Sequence, residues 1–288
     1  MTDLSPDFVG RVERLPLRPS AENALMPLFE AVSNSLHAVD DRFGEDAHQK
    51  ALIRVKVLRS NFADEKSPVT GFIVVDNGVG LDNENFNSFK RLDSRHKIVR
   101  GGKGIGRLGW LKVFSRIEVD STYFEANVPH GRSFDFRLAE ANQIADHGPR
   151  DVCPKGGGTR VAMYDYTVGF TNKCPTDPEV ILQRLSQHFL NVVVAENPIV
   201  LMIEDGSQDR NLASYVLEHV KANNLDPVKL LPEFLTEPLD FKIRHIRICI
   251  RGKTPGTALD QAYRVRCLTY WSSALITTCP ATFSLLPR

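Results

Sequence analysis

No uninterrupted apolar run in this chain approaches the roughly 20 residues that a membrane-spanning helix needs, and no apolar signal-type segment stands near residue 1. These absences argue against a membrane-spanning protein and predict a cytoplasmic one. Cysteine is scarce and unpatterned: Cys153, Cys174, Cys249, Cys267 and Cys279 are odd in number, and none stands in a Cys-x-x-Cys pair. That pattern disfavours a zinc site or a disulfide framework and suits a reducing compartment. The net charge is only +1, so no global field points to nucleic acid. Internal repeats, low-complexity tracts and a P-loop motif are missing as well.

What is present is ordinary for a globular chain: 42% apolar and 25% charged residues, in a length of 288 that fits about two domains. Charge is unevenly spread. Residues 90–116 hold nine Lys or Arg against one acid, Asp93, and residues 242–266 hold seven against one, Asp260. The first cluster coincides with a glycine-rich loop, which points to phosphate. The second reads as a solvated face or as a binding surface.

Helical spacing of Leu25, Leu28, Phe29, Val32, Leu36 and Val39 predicts a helix from a Ser20 cap to a stop at Phe43 and Gly44. Alternation at Ile53, Val55 and Val57, followed by the apolar run 71–76 ending in Asp76, predicts neighbouring strands. A short helix is expected over 83–92, a loop over 94–104, a helix over 106–114, and strands over 116–123, 132–138 and 159–164. Pro178 opens a helix running to Val193, and a strand follows over 199–203, with a domain boundary after 205. Beyond it, 212–220 reads as helix and 241–250 as strand, and the uncharged tail 268–287 shows no clear period.

Three segments carry chemistry. In Glu30-x-x-x-Asn34 a carboxylate and a carboxamide share one helix face, one turn apart. Glu30 is placed to take a proton from water, the plainer alternative being a surface acid. The carboxamide oxygen of Asn34 is a hard, neutral ligand that suits Mg²⁺. Asp76-Asn77-Gly78-Val79-Gly80 sets an acid at a strand end, followed by glycines that let the backbone turn beneath a ligand. A carboxylate there can accept a hydrogen bond from the N6 amine of adenine, where guanine presents a carbonyl. Gly101-Gly102-Lys103-Gly104-Ile105-Gly106 is a basic glycine loop opening a helix, suited to wrapping phosphates with backbone N–H groups.

In order and spacing, and with Gly158-Thr159 on a later strand, these segments resemble the four nucleotide-binding boxes of the GHKL superfamily, which includes DNA gyrase B, a heat-shock chaperone class, histidine kinases and MutL. The resemblance covers roughly residues 10–205. It implies an α+β fold of the Bergerat type, a two-layer α/β sandwich with a mixed sheet and helices on one face, as an ATP-binding domain over 1–205. A partial, transducer-like second α/β domain would occupy 206–288. By the same resemblance Glu30 is the catalytic base, Asn34 the Mg²⁺ ligand, and Asp76, Gly78 and Gly80 surround adenine. Thr159 would support the adenine contact through its hydroxyl and a water, while Gly101, Gly102, Lys103, Gly104, Ile105 and Gly106 hold the phosphates.

Two departures follow. Histidine kinases carry Asn where this chain has Glu30, so water rather than a protein histidine is the expected phosphoryl acceptor. His37 stands where relatives such as MutL have Asp, and reads either as bordering the pocket or as a structural histidine. Lys253 is a candidate for the cation that a second domain supplies to the γ-phosphate, against the plainer reading of a solvated lysine. The activity expected is Mg²⁺-dependent ATP binding and slow hydrolysis, with ATP closing a lid and driving homodimerisation for a client that the sequence does not name. The alternative is a nucleotide-gated DNA- or protein-binding module with negligible turnover.

Overall fold

The computed structural model describes residues 7–91, 106–148 and 156–222. A short α1, Phe8–Glu13, is capped by Asp7, whose carboxylate accepts the Gly10 N–H at 2.7 Å. The long helix that periodicity predicts is α2, Ala21–Phe43. It begins where the Ser20 hydroxyl accepts the Asn23 N–H at 3.1 Å and stops at Gly44. Its apolar stripe, including Leu25, Leu28, Val32 and Val39, is buried.

The chain continues through α3 (Ala47–Lys50), β1 (Leu52–Arg59), β2 (Val69–Asp76), α4 (Asn83–Lys90), α5 (Gly106–Val113), β3 (Phe114–Glu125), β4 (Val128–Phe136), β5 (Ile144–Asp146) and β6 (Gly158–Tyr166). Then come α6 (Pro178–His188), α7 (Leu190–Val193), β7 (Val200–Asp205), β8 (Gln208–Asn211) and α8 (Leu212–Ala222). The helix expected from Pro178 to Val193 is therefore two pieces, divided at Phe189. A tight hairpin joins β3 to β4 through Ala126 and Asn127, both at positive φ, the twist that suits a two-residue turn. The expected loop over 94–104 and strand over 241–250 fall outside the described residues.

The strands form one mixed eight-stranded sheet, β5-β4-β3-β6-β2-β1-β7-β8. Only β1 and β7 run parallel among these neighbours. In register, Val119, Val161, Val74, Val55 and Ile203 form an apolar row across five strands. One residue further along, Asp120, Arg160, Val75, Arg54 and Met202 form the next row, and the pleat turns it to the opposite face. There Arg160 pairs with Asp120 at 3.0 Å, and Arg54 with Glu204 at 2.9 Å. One face is thus apolar and the other charged. The helices cover the apolar face, α2 against β1, β2 and β6, α5 against β3, and α8 against β7.

The sheet continues past Asp205. Gln208–Asn211 turns back to pair antiparallel with β7, and Leu212, Ala213 and Val216 of α8 join the same core as α2. Sheet and core therefore run on through α8. Four polar residues in β8 carry no alternation that could announce this pairing.

Candidate functional site

The end of β2, the start of β6 and the middle of α2 meet at Asp76. Both carboxylate oxygens are engaged: Oδ1 accepts the N–H of Gly78 at 2.8 Å and of Thr159 at 3.2 Å, and Oδ2 accepts the Ser35 hydroxyl at 2.9 Å. Asp76 is only 8% exposed. Burial raises its pKa above the ordinary 3.8, opposed by those hydrogen bonds and by the charge of Arg42. An ionised carboxyl accepts about four hydrogen bonds, so Oδ2 retains capacity for one more donor.

The glycines after Asp76 have steric reasons. A Cβ at Gly78 would fall 2.6 Å from the backbone carbonyl carbon of Ala38, so helix and turn could not approach as they do. Gly80 has φ 78° and lies against the Thr122 carbonyl oxygen. Between them, the Val79 N–H donates to the Ala38 carbonyl at 3.1 Å. Asn77 serves the backbone, accepting the Leu52 N–H on Oδ1 at 2.8 Å and donating to the Lys50 carbonyl at 2.8 Å.

Thr159 reaches Asp76 through its backbone N–H, whereas its hydroxyl pairs with the Ser121 hydroxyl at 3.2 Å. Ser121, buried on β3, also accepts the Leu81 N–H at 2.7 Å and donates to the Gly158 carbonyl at 3.0 Å. It joins the segment after Gly80 to the start of β6.

On α2, Glu30 and Asn34 are half-buried neighbours, with Asn34 Nδ2 3.5 Å from Glu30 Oε1. The Glu30 carboxylate lies against Gly106, the first residue of α5. A helix N-terminus and a carboxylate attract each other, because the first N–H groups are unpaired. His37 is exposed on α2. Gly101, Gly102, Lys103, Gly104 and Ile105 lie outside the described residues, as do Lys253 and the 242–266 basic cluster.

Among the described residues, no group of three or more His, Cys, Asp or Glu could cage a metal ion. The carboxamide of Asn34, one helical turn from Glu30, carries a neutral oxygen of the kind that suits a hard cation taking its remaining ligands from phosphate and water. Asn34 would hold Mg²⁺ in that way, and the cation would supply charge neutralisation to phosphate oxygens. A cavity of about 10 Å³, room for one water, is lined by Glu65, Ile181, Asp205 and Gln208, among others, and shares no residue with the Asp76 cluster.

Three residues of the cluster went unnoticed in the sequence: Ser35, Ser121 and Arg42. The Arg42 guanidinium donates from Nη1 to the carbonyls of Asn77 (2.6 Å), Gly78 (3.3 Å) and Gly157 (3.1 Å). Ser35 and Arg42 are seven positions apart on the helix, hence on one face, and that spacing from a serine next to Asn34 was the available signal. Ser121 had none, because its partners come from distant segments. In comparisons with known proteins, the chain matches no family model and no curated protein.

Proposed function

We propose that this chain binds ATP with Mg²⁺ and hydrolyses it slowly, as a GHKL-type ATPase whose ATP-binding domain has the Bergerat architecture. One observation carries the reading: a buried carboxylate, Asp76, is fixed by Ser35, Gly78 and Thr159 with one acceptor position left, while Glu30 and Asn34 stand on the same helix as Ser35 and Glu30 borders Gly106. Segments at Glu30, Asp76, Gly106 and Thr159, spread over 129 positions of chain, are thereby brought together as an adenine site and a hydrolytic site would be. The mixed sheet with helices on its apolar face supports the same architecture.

In this reading the spare acceptor of Asp76 takes the N6 amine of adenine, and leaving it unpaired over a guanine carbonyl costs about 1 to 3 kcal/mol. Asn34 holds Mg²⁺. Glu30 takes one proton from the attacking water as the bond between the γ-phosphoryl group and ADP breaks, giving ADP and phosphate. The resemblance adds an ATP-driven homodimer and a DNA or protein client.

The test is ATP turnover with Mg²⁺ by the chain, beside Glu30→Ala and Asp76→Asn, with nucleotide binding measured in parallel. Turnover lost in Glu30→Ala with binding kept, and binding lost in Asp76→Asn, is the expected result. Binding without turnover in the parent chain selects the nucleotide-gated module instead. No binding of ATP by the parent sinks both.

A further inference from the structure

The contacts of Arg42 do more than tie a helix to a turn. The peptide unit between Asn77 and Gly78 is held at both ends: its carbonyl accepts Arg42 Nη1 at 2.6 Å, and its N–H donates to Asp76 Oδ1 at 2.8 Å. A trans peptide directs its C=O and N–H in opposite directions, so the guanidinium and the carboxylate sit on opposite sides of one dipole. Each charge polarises the peptide toward the other, which strengthens both bonds. The same Nη1 reaches the Gly157 carbonyl at 3.1 Å, on the approach to Thr159, whose N–H is the second donor to Asp76 Oδ1. Both backbone donors to Oδ1 therefore belong to segments that Arg42 holds.

Three positions of α2 form this contact. Ser35, Ala38 and Arg42 follow the i, i+3, i+7 spacing of one helix face. Ser35 meets the carboxylate, Ala38 accepts the Val79 N–H, and Arg42 meets the carbonyls.

We propose that Arg42 is a positioning residue which, through the 77–78 peptide and Gly157, orients the Asp76 carboxylate and so sets the preference of the site for a purine bearing an exocyclic amine over one bearing a carbonyl. The inference rests on the nucleotide reading above and deepens it. Arg42 touches no base itself. Without it the turn and the approach to β6 lose one of their shared tethers, the carboxylate gains freedom to rotate, and the spare acceptor on Oδ2 is less firmly held toward the base.

The experiment measures ATP and GTP binding by the full chain and by Arg42→Ala and Arg42→Lys. Arg42→Ala should lower the ATP-over-GTP ratio by about tenfold, the scale of one charge-assisted hydrogen bond. Arg42→Lys, which keeps a cation but only a point-like donor, should restore part of it. A merely structural arginine would weaken ATP and GTP binding alike and leave the ratio at the parent's value. Should Arg42→Ala fail to fold, Arg42→Lys carries the test, with a ratio below the parent's. A parent that prefers ATP with variants that keep its ratio overturns the role of Arg42 alone. A parent that binds neither nucleotide overturns the site reading and this inference with it.

Discussion

The Glu30 carboxylate and Gly106 are in contact so close that a methyl group at position 106 would fall 2.1 Å from Glu30 Cδ and 2.2 Å from Oε1. The first residue of α5 thus fixes how near the helix start can come to the proposed base, across 76 positions of chain. The atoms that would clash belong to the far end of a flexible side chain. Space can be made by moving the carboxylate, and that movement is what a hydrolytic site cannot tolerate.

Gly106→Ala should therefore separate folding from function. Stability changes by less than about 1 kcal/mol, since alanine is also the better helix former. Turnover should fall roughly 10- to 100-fold, because a displacement of about 1 Å misaligns the base with its water. Thermal unfolding and steady-state hydrolysis, measured on one preparation, check this. A variant that hydrolyses ATP at the parental rate would remove Glu30 from the site as placed.

Acid should weaken the fold through His188. Its ring stacks on Phe29, centroids 4.2 Å apart and 15° from parallel, and burial pushes its pKa from 6.5 down to about 4. The folded state keeps the ring neutral while the unfolded chain protonates near 6.5. As pH falls from 6.5 to about 4, the unfolded state binds the extra proton, so stability declines by roughly 3 kcal/mol over that window and no further below it. His188→Phe lacks this titration. Urea unfolding of both proteins from pH 7 to 4 should show the parent losing stability relative to the variant, and parallel curves would refute the assignment.

The Arg59–Asp205 pair should be costly to break. Arg59 Nε and Nη2 meet the two Asp205 oxygens at 2.6 and 2.7 Å, with side chains only 1% and 9% exposed. Arg59 Nη1 completes its bonding on the Ser67 and Thr176 carbonyls, each at 2.8 Å. Asp205→Ala strands the guanidinium in the interior, with an expected loss of about 3 to 5 kcal/mol. Denaturant unfolding reads this directly. A loss under about 1 kcal/mol would mean that water reaches the pair.

The legible parts of this fold are those written in local pattern. α2 followed from the Ser20 cap, the stripe of Leu25, Leu28 and Val32, and the stop at Gly44. β1 and β2 followed from alternation and a continuous apolar run. α1, β5 and β8 did not, being three to six residues long and lacking a readable period. β8 is polar throughout and owes its place to pairing with β7.

At the candidate site the division is similar. Residue type and spacing alone determined that Glu30 and Asn34 share a helix face, that Asp76 ends a strand, and that glycines follow it, since each is a short-range consequence of chain geometry. Only the tertiary structure decided that Ser35, Gly78 and Thr159 saturate three acceptor positions of Asp76, that Thr159 does so by its backbone, and that Arg42 grips the carbonyls on the far side of the 77–78 peptide. The physical reason is directional: a hydrogen bond depends on distance and angle to within tenths of an ångström and tens of degrees, and those are set where segments far apart in sequence pack together, which no local period encodes.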